Sequence, residues 1–536
     1  MDLKINGYLK KFKDEFCTWF TNDRKLALIV SCIMGFITHI MMITSTIMSQ
    51  DGLWNSIRYA KPGDWEITLG RWGIYLIEKI DFFMAIPSIT TVFCIIIMAM
   101  TSMFVIDLFE IKRKYSVIIV AVLFAVAPTF LVTLLYIYTA LAYCINFLLS
   151  ILVVWFIFKI KNKKLGFFLS CISFIFSLGI YQSYIGVSIG VFVMLCILKL
   201  LRADEDYKEV FINIIKVMIT VVVAATIYYI LTNFILALLK LQLSKYKNAN
   251  STNIITIIAG LGTSIKMAYK DFASFYVRDR IIYNTNYHRN IAYIILFAVT
   301  GVFCIDKYIE IAKEEISKKD KIIRILFISA LILSLPIVLN VIDLIVPNNQ
   351  IYALTSSQMI LMIPFCIAII EKVDKYFILK VVSIASCFYI LFTFYITDNV
   401  SYTALKLTYN QAYSTTIRAI DRAENLIGYK KDLPYMFAGI VGNDNYPRTN
   451  SLYNFTACDI VNNTVFHYTY GGEVATWANF LKIFLGLDVN LCDDNTYKLI
   501  LESSEFKEMG TFPDQSAVKI IDGVVVVKFH DNPPAP

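Results

Sequence analysis

The chain has 536 residues, 58% of them hydrophobic, 15% aromatic and only 17% charged, with a formal net charge of +8. Soluble domains carry about 25% charged residues, so this composition excludes a disordered protein, a nucleic-acid-binding domain and a secreted disulfide scaffold. It points to an all-α polytopic membrane protein.

A helix that crosses a hydrocarbon core of about 30 Å needs roughly 20 apolar residues. In chain order, such runs predict eleven transmembrane helices, at 25–49, 83–106, 115–137, 140–158, 165–180, 183–200, 211–239, 290–306, 321–346, 351–371 and 376–397. The first run is longer than a signal-peptide core and no small-residue cleavage site follows it, so it is expected to stay uncleaved.

Basic residues give the sidedness. With a cytoplasmic N-terminus, the inside segments are 1–25, 107–114, 159–164, 199–210, 307–324 and 371–380. They hold 6, 3, 4, 3, 6 and 3 Lys plus Arg, whereas the short outside connections near Tyr138, Tyr181 and Asn348 hold none. An odd number of spans then puts the C-terminus outside. The polar material on that side comprises loops 50–82 and 240–289, carried by the transmembrane domain of residues 1–397, and a tail of residues 398–536.

The tail reads as a small extracytoplasmic α/β domain. Tyr402, Leu405, Tyr409, Tyr413, Ile417 and Ile420 have helical spacing and predict a helix over 399–427, ending near Gly428. A strand follows at 435–441. Two β-branched runs between Ala517 and Phe529 flank Asp522-Gly523, which predicts a two-residue hairpin.

Loop 50–82 opens on Asp51, directly after the first span. Its position alone equally suits a boundary charge at a helix end. The rest of the loop is too rich in aromatic and charged residues for a plain connector: it holds Trp54, Arg58, Asp64, Trp65, Glu66 and the stretch Gly70-Arg71-Trp72-Gly73. Trp and Tyr anchor helices at membrane interfaces, but Arg also suits phosphate, because its planar fork donates two parallel charge-assisted bonds. Residues 165–200 break at Gly179-Ile180-Tyr181-Gln182-Ser183-Tyr184. There Tyr181, Gln182 and Tyr184 either line a polar cavity that suits sugar hydroxyls or form a tight polar turn. Loop 240–289 places Lys266, Lys270, Arg278, Arg280 and Arg289 among tyrosines, which suits either a lipid phosphate or adhesion to anionic headgroups.

Span interiors are nearly free of ionisable groups, with His39 the clearest exception, and this counts against an ion-coupled transporter. No metal site is expected from the four histidines or the cysteine spacing. Asp493-Asp494 and Asn443-Asp444-Asn445 read as turn residues more readily than as cation ligands. Eight cysteines fall in apolar runs and act as small hydrophobes; Cys458 and Cys492 would pair only in an oxidising compartment. A nucleotide-binding fingerprint is absent from the sequence, and no nucleic-acid partner is expected.

Asp51, Gly70-Arg71-Trp72 and Gly179–Tyr184, within a many-spanned chain with an external tail, resemble the glucosyltransferase II family of bacterial and phage membrane glycosyltransferases, in the GT-C superfamily. The resemblance covers roughly residues 25–440. It implies a bacterial inner-membrane enzyme that takes a hexose, glucose in the family, from undecaprenyl phosphate to a surface polysaccharide of O-antigen or teichoic-acid type. A donor synthase and a flippase would be its partners. It also implies a catalytic acid in the first external loop, which carries over to Asp51. Where the related pattern has two adjacent acids, Gly52 follows Asp51, so Asp64 and Glu66 stand as alternatives.

The chemistry expected is a single inverting displacement. A carboxylate accepts the proton of the attacking sugar hydroxyl, and cations hold the departing phosphate. Arg58, Arg71, Lys270, Arg278 and Arg280 are the candidate cations, with Trp72, Tyr181, Gln182 and Tyr184 on the sugar. No cofactor is expected, and a divalent cation is not indicated. Two other readings stay open: a surface-polysaccharide polymerase or ligase, and a lipid-linked sugar transporter, which needs no catalytic acid.

Overall fold

In hydrocarbon every backbone N–H and C=O must be satisfied within the segment, so the apolar runs fold as helices. The computed structural model describes residues 18–55, 64–80, 84–244, 254–278, 287–345, 353–373, 375–439 and 474–530. The first part of the chain forms α1 (Asn22–Thr38), α2 (Ile40–Thr44), α3 (Gln50–Asn55), α4 (Asp64–Thr68) and α5 (Trp72–Glu78). Long helices follow: α6 (Pro87–Phe109), α7 (Lys114–Val126) with α8 (Pro128–Leu135), α9 (Ile137–Lys159), α10 (Lys163–Ile180), α11 (Ile185–Arg202) and α12 (Tyr207–Leu239). Next come α13 (Ile254–Tyr276), α14 (Tyr287–Lys313), α15 (Lys318–Leu339), α16 (Val341–Ile345), a 3-10 segment Ala353–Leu361 leading into α17 (Met362–Glu371), and α18 (Phe377–Glu424).

Among the described residues nine helices are long and apolar enough to cross a membrane, two fewer than the eleven expected. The first expected span is interrupted. Its helix α1 stops after 17 residues at His39, whose ring is pinned from both sides. The Ala125 carbonyl lies 2.9 Å from Nε2 and can only accept, so Nε2 carries the proton and Nδ1 accepts from the Tyr402 hydroxyl at 2.8 Å. The histidine is thereby a clasp between α1, α7 and α18. The other shortfall is at α14, whose 27 residues include Arg289, Asp306, Lys307 and Glu310. Pro128 splits another expected span into α7 and α8, since its ring removes a helical N–H.

The Lys- and Arg-rich end of the bundle is tied by charge. Asp107 accepts from Arg24, from Trp19 and, at 2.6 Å, from Trp155 Nε1. Glu371 Oε1 accepts the backbone N–H groups of Lys112 and Arg113, each at 2.8 Å. Asn162, Asp206 and Ser317 cap α10, α12 and α15 there through side-chain oxygens. The centre of the bundle is the 3-10 segment with α17, where every residue is buried, whereas α12 lies at the periphery and exposes Phe211, Met218, Ile230 and Phe234, as a lipid-facing helix would.

The last expected span and the tail helix are one element. Asp398-Asn399-Val400 contains neither Gly nor Pro, so α18 runs unbroken through 48 residues, about 72 Å at 1.5 Å per residue. It leads to a three-stranded sheet in the order β1 (Tyr435–Ala438), β3 (Val524–Lys528), β2 (Val518–Ile521), with β1 parallel and β2 antiparallel to β3. Asp522 and Gly523, both at positive φ, close the β2–β3 hairpin as their sequence predicts. Packed with the sheet are α19 (Val474–Phe480), α20 (Asp494–Glu502) and α21 (Ser504–Lys507). Asn443-Asp444-Asn445 and Cys458 lie outside the described residues; Cys492 is a free thiol.

Candidate functional site

The two sequence motifs that stand out separately meet in space. Residues 69–73 press onto the turn between α10 and α11. At Gly70 φ is +75°, and a Cβ there would lie 2.4 Å from the Tyr228 hydroxyl, so both conformation and space require glycine. The Gln182 amide donates to the Leu69 carbonyl (3.2 Å) and to the Tyr228 hydroxyl (2.8 Å), and Tyr228 donates in turn to the Gly70 carbonyl (3.1 Å). Trp72 is buried against Gly179, with its Nε1 donating to Thr232 at 3.1 Å. Gln182 and Trp72 are therefore parts of the scaffold.

Tyr181 leaves the helical region (φ −159°, ψ 109°), and the Asn146 amide holds its carbonyl at 3.1 Å. The break is thus a tight turn, Tyr181 then a 3-10 turn over Gln182–Tyr184, buried in the protein. Its rings form a stack. Tyr181 lies on Tyr143 with centroids 4.8 Å apart, and Tyr184 meets Tyr181 edge-on at 5.7 Å. The Arg71 guanidinium also lies over the Tyr181 ring, 4.6 Å from its centroid. Contacts of this kind contribute about 0.5–2 kcal/mol. A small cavity lined by Thr129, Thr133, Tyr143, Tyr184 and Ser357 lies beside this stack.

Arg71 Nε is buried and has no hydrogen-bond partner among the described residues. Burial works against its charge, but Tyr143, Tyr181, Tyr138 and Glu66 outweigh that and hold its pKa above the ordinary guanidinium value. A fixed cation with an open donor is therefore built into the cluster. Glu66 reaches it through the backbone as well, its carbonyl accepting from Arg71 N at 2.9 Å.

Asp51 is exposed on α3, and its carboxylate acts electrostatically on Tyr138, as does that of Glu66. Asp64 is exposed at the start of α4, and Glu66 is half-buried. Glu78, buried on α5 and acting on Tyr143, joins the group without having been marked by sequence, as do Tyr138, Tyr143 and Tyr228.

The basic residues of the second loop are not joined to this cluster. Lys270 and Arg278 are exposed on and just after α13, which packs on α14, α15 and α16, and among the described residues no hydrogen bond or ion pair ties either of them to Arg71. Their apolar neighbours direct α13 to those helices and leave the charges on its outer side. Arg289 is buried, its guanidinium 5.7 Å from the Phe394 ring centroid. Arg58 and Arg280 lie outside the described residues. The described residues hold no group of three or more potential metal ligands. Asp493 caps α20 by accepting from Asn495 N and Thr496 N, which accounts for the Asp493-Asp494 pair as a turn.

Residues 40–367 match the family model of the glucosyl transferase GtrII. The chain belongs to the GtrII glucosyltransferase family. The matched region includes Asp51, the Arg71 loop and the Tyr181 turn, while residues 368–536 lie beyond it. Membership implies a glycosyltransferase acting between a sugar donor and a glycan acceptor. No significant match was found among curated proteins or among solved structures.

Proposed function

We propose that this GtrII-family protein moves a hexose, glucose in keeping with the family, from a polyprenyl-phosphate carrier to a surface polysaccharide on the outer face of the cytoplasmic membrane. The observation that carries the reading is Arg71: a half-buried cation over the Tyr181 ring, whose buried Nε–H has no hydrogen-bond partner among the described residues and on which the Glu66 carboxylate acts. In the reaction the acceptor hydroxyl attacks the anomeric carbon and its proton passes to Asp51. The bond from that carbon to the phosphate oxygen breaks, and the electron pair leaves with the phosphate. Arg71 balances the charge that develops there, an interaction strongest in the transition state. One displacement inverts the anomeric centre and requires a single carboxylate. The polyprenyl chain stays among the lipid-facing helices, so the phosphate alone has to reach Arg71.

The test is sugar transfer by protein purified in lipid nanodiscs, from a radiolabelled polyprenyl phosphate glucose to a polysaccharide acceptor. Wild type is expected to transfer, and Asp51→Asn to lose about 10²- to 10⁴-fold in kcat. Undiminished transfer by Asp51→Asn removes that residue from the mechanism. Transfer from a nucleotide sugar but not from the lipid donor defeats the donor assignment.

A further inference from the structure

Asp51 stands on a helix that cannot position itself. The six residues of α3 include Gly52, and isolated helices shorter than about 12–15 residues are marginal in water. Hydrogen bonds to elsewhere in the chain fix the segment, three of them among the described residues. Ser49 N donates to the Leu135 carbonyl at 3.1 Å, inside the family-matched region. The other two come from beyond it: the Tyr409 hydroxyl donates to the Met48 carbonyl at 3.0 Å, and the Asn479 amide donates to the Leu53 carbonyl at 3.2 Å. These two bonds bracket Asp51, one on its N-terminal side and one on its C-terminal side.

The bracket is itself held firmly. Tyr409 is buried on α18, its ring 5.3 Å from that of Phe484 and 6.3 Å from that of Phe480. Trp477, two residues before Asn479, is stacked between Phe437 of β1 and Phe529, with centroids 4.8 Å and 5.1 Å away. The domain is bound back to α18, where Arg422 donates to the Asp514 carbonyl at 2.7 Å and Arg418 and Arg422 both lie over Phe512. Sheet, long helix and Asp51 helix are thereby linked.

We infer that the C-terminal α/β segment is a bracket that sets the position of the Asp51 carboxylate, with Tyr409 and Asn479 as its positioning residues. The kinetic consequence rests on the transferase reading; the mechanical one does not. The Arg71–Tyr181 stack is held by separate bonds, from Gln182, Tyr228 and Asn146, so loosening α3 should impair proton acceptance and leave donor binding alone.

Tyr409→Phe and Asn479→Asp each remove one donor with little change of shape, and Asn479→Gln keeps an amide. In nanodiscs, hydrogen–deuterium exchange of residues 49–55 is expected to quicken about fivefold in the first two variants. Their kcat is expected to fall about tenfold, with the donor KM within about twofold of wild type, and Asn479→Gln to recover part of the loss. Unchanged exchange in both variants overturns the bracket, whatever the activity. Faster exchange with unchanged kcat, or with KM rising as much as kcat falls, overturns the positioning role. Faster exchange in the variants together with no transfer by wild type leaves the bracket standing and defeats the transferase reading instead.

Discussion

Gly73 and Gly179 touch backbone to backbone: a Cβ on Gly73 would lie 2.9 Å from the Gly179 carbonyl carbon, and one on Gly179 would lie 2.7 Å from the Trp72 ring. Neither distance is attainable, so a side chain at either position must move the Arg71 loop away from the Tyr181 turn. Gly179→Ala and Gly73→Ala are expected to cost about 1–3 kcal/mol of stability and to lower transfer, as read by thermal melting and by the glucose-transfer assay. Gly262 on α13 supplies the control, with nothing within 4 Å of its Cβ position. Gly262→Ala should melt at the same temperature or higher, because alanine favours a helix interior over glycine by about 1 kcal/mol.

Arg71 combines charge with a planar face, and the two are separable by substitution. Arg71→Lys keeps the charge but loses the stack on Tyr181 and the fork that meets a phosphate. It should lower kcat/KM for the lipid donor about tenfold, and Arg71→Met about 100-fold or more, as for loss of a charge-stabilising donor. Equal transfer by wild type and Arg71→Met would remove the phosphate role altogether.

The helical bundle was legible because its signal is local: a run of about 20 apolar residues needs no knowledge of the rest of the chain. The break at His39 was not, since no Gly or Pro marks it and its cause is a pair of hydrogen bonds, one to a residue 363 positions away. The continuity of α18 was hidden for the opposite reason, a polar patch at 398–400 that reads as a span end although nothing in it breaks a helix. Gly70–Gly73 and Gly179–Tyr184 each stood out by glycine and aromatic content, but their meeting depends on how α10 packs beside α9 and α12. Tyr143 was concealed because a buried tyrosine in an apolar run looks like core, and it is 5% exposed. Charge beside aromatics marked Lys270 and Arg278, whereas the apolar face of α13 decides where they point.

The C-terminal tail should weaken in acid through Asp493. The hydrogen bonds it accepts, first from the Thr496 hydroxyl and then from the backbone of Thr496 and Asn495, hold its pKa below the usual carboxylate value. A depressed folded-state pKa adds stability that is present above the unfolded value of about 3.9 and is lost as pH falls through the folded value. Asp493→Ala should therefore lower the melting temperature of the tail at pH 7, with the difference from wild type shrinking steadily as pH drops below about 4. A difference that stays constant down to that range would mean the cap acts by shape alone.

On the proposed reading three carboxylates are candidates to take the proton of the acceptor, and their surroundings rank them. Asp64 is exposed, and among the described residues no hydrogen bond or ion pair joins it to the Arg71 cluster. Glu66 is half-buried and acts on both Arg71 and Tyr138, so its negative charge supports the cation that is to hold the phosphate. Asp51 is exposed, so an acceptor arriving from solution can approach it, and its charge acts on Tyr138. Asp64→Asn should leave kcat and KM within about twofold of wild type, as surface substitutions usually do. Glu66→Gln should act on the donor side, raising KM several-fold with a smaller effect on kcat, because it withdraws support from Arg71. Asp51→Asn should act on kcat alone, and azide or formate, supplied as a replacement base, should restore part of it. Rescue of Glu66→Gln by those anions, with none for Asp51→Asn, would exchange the two roles and make Glu66 the base.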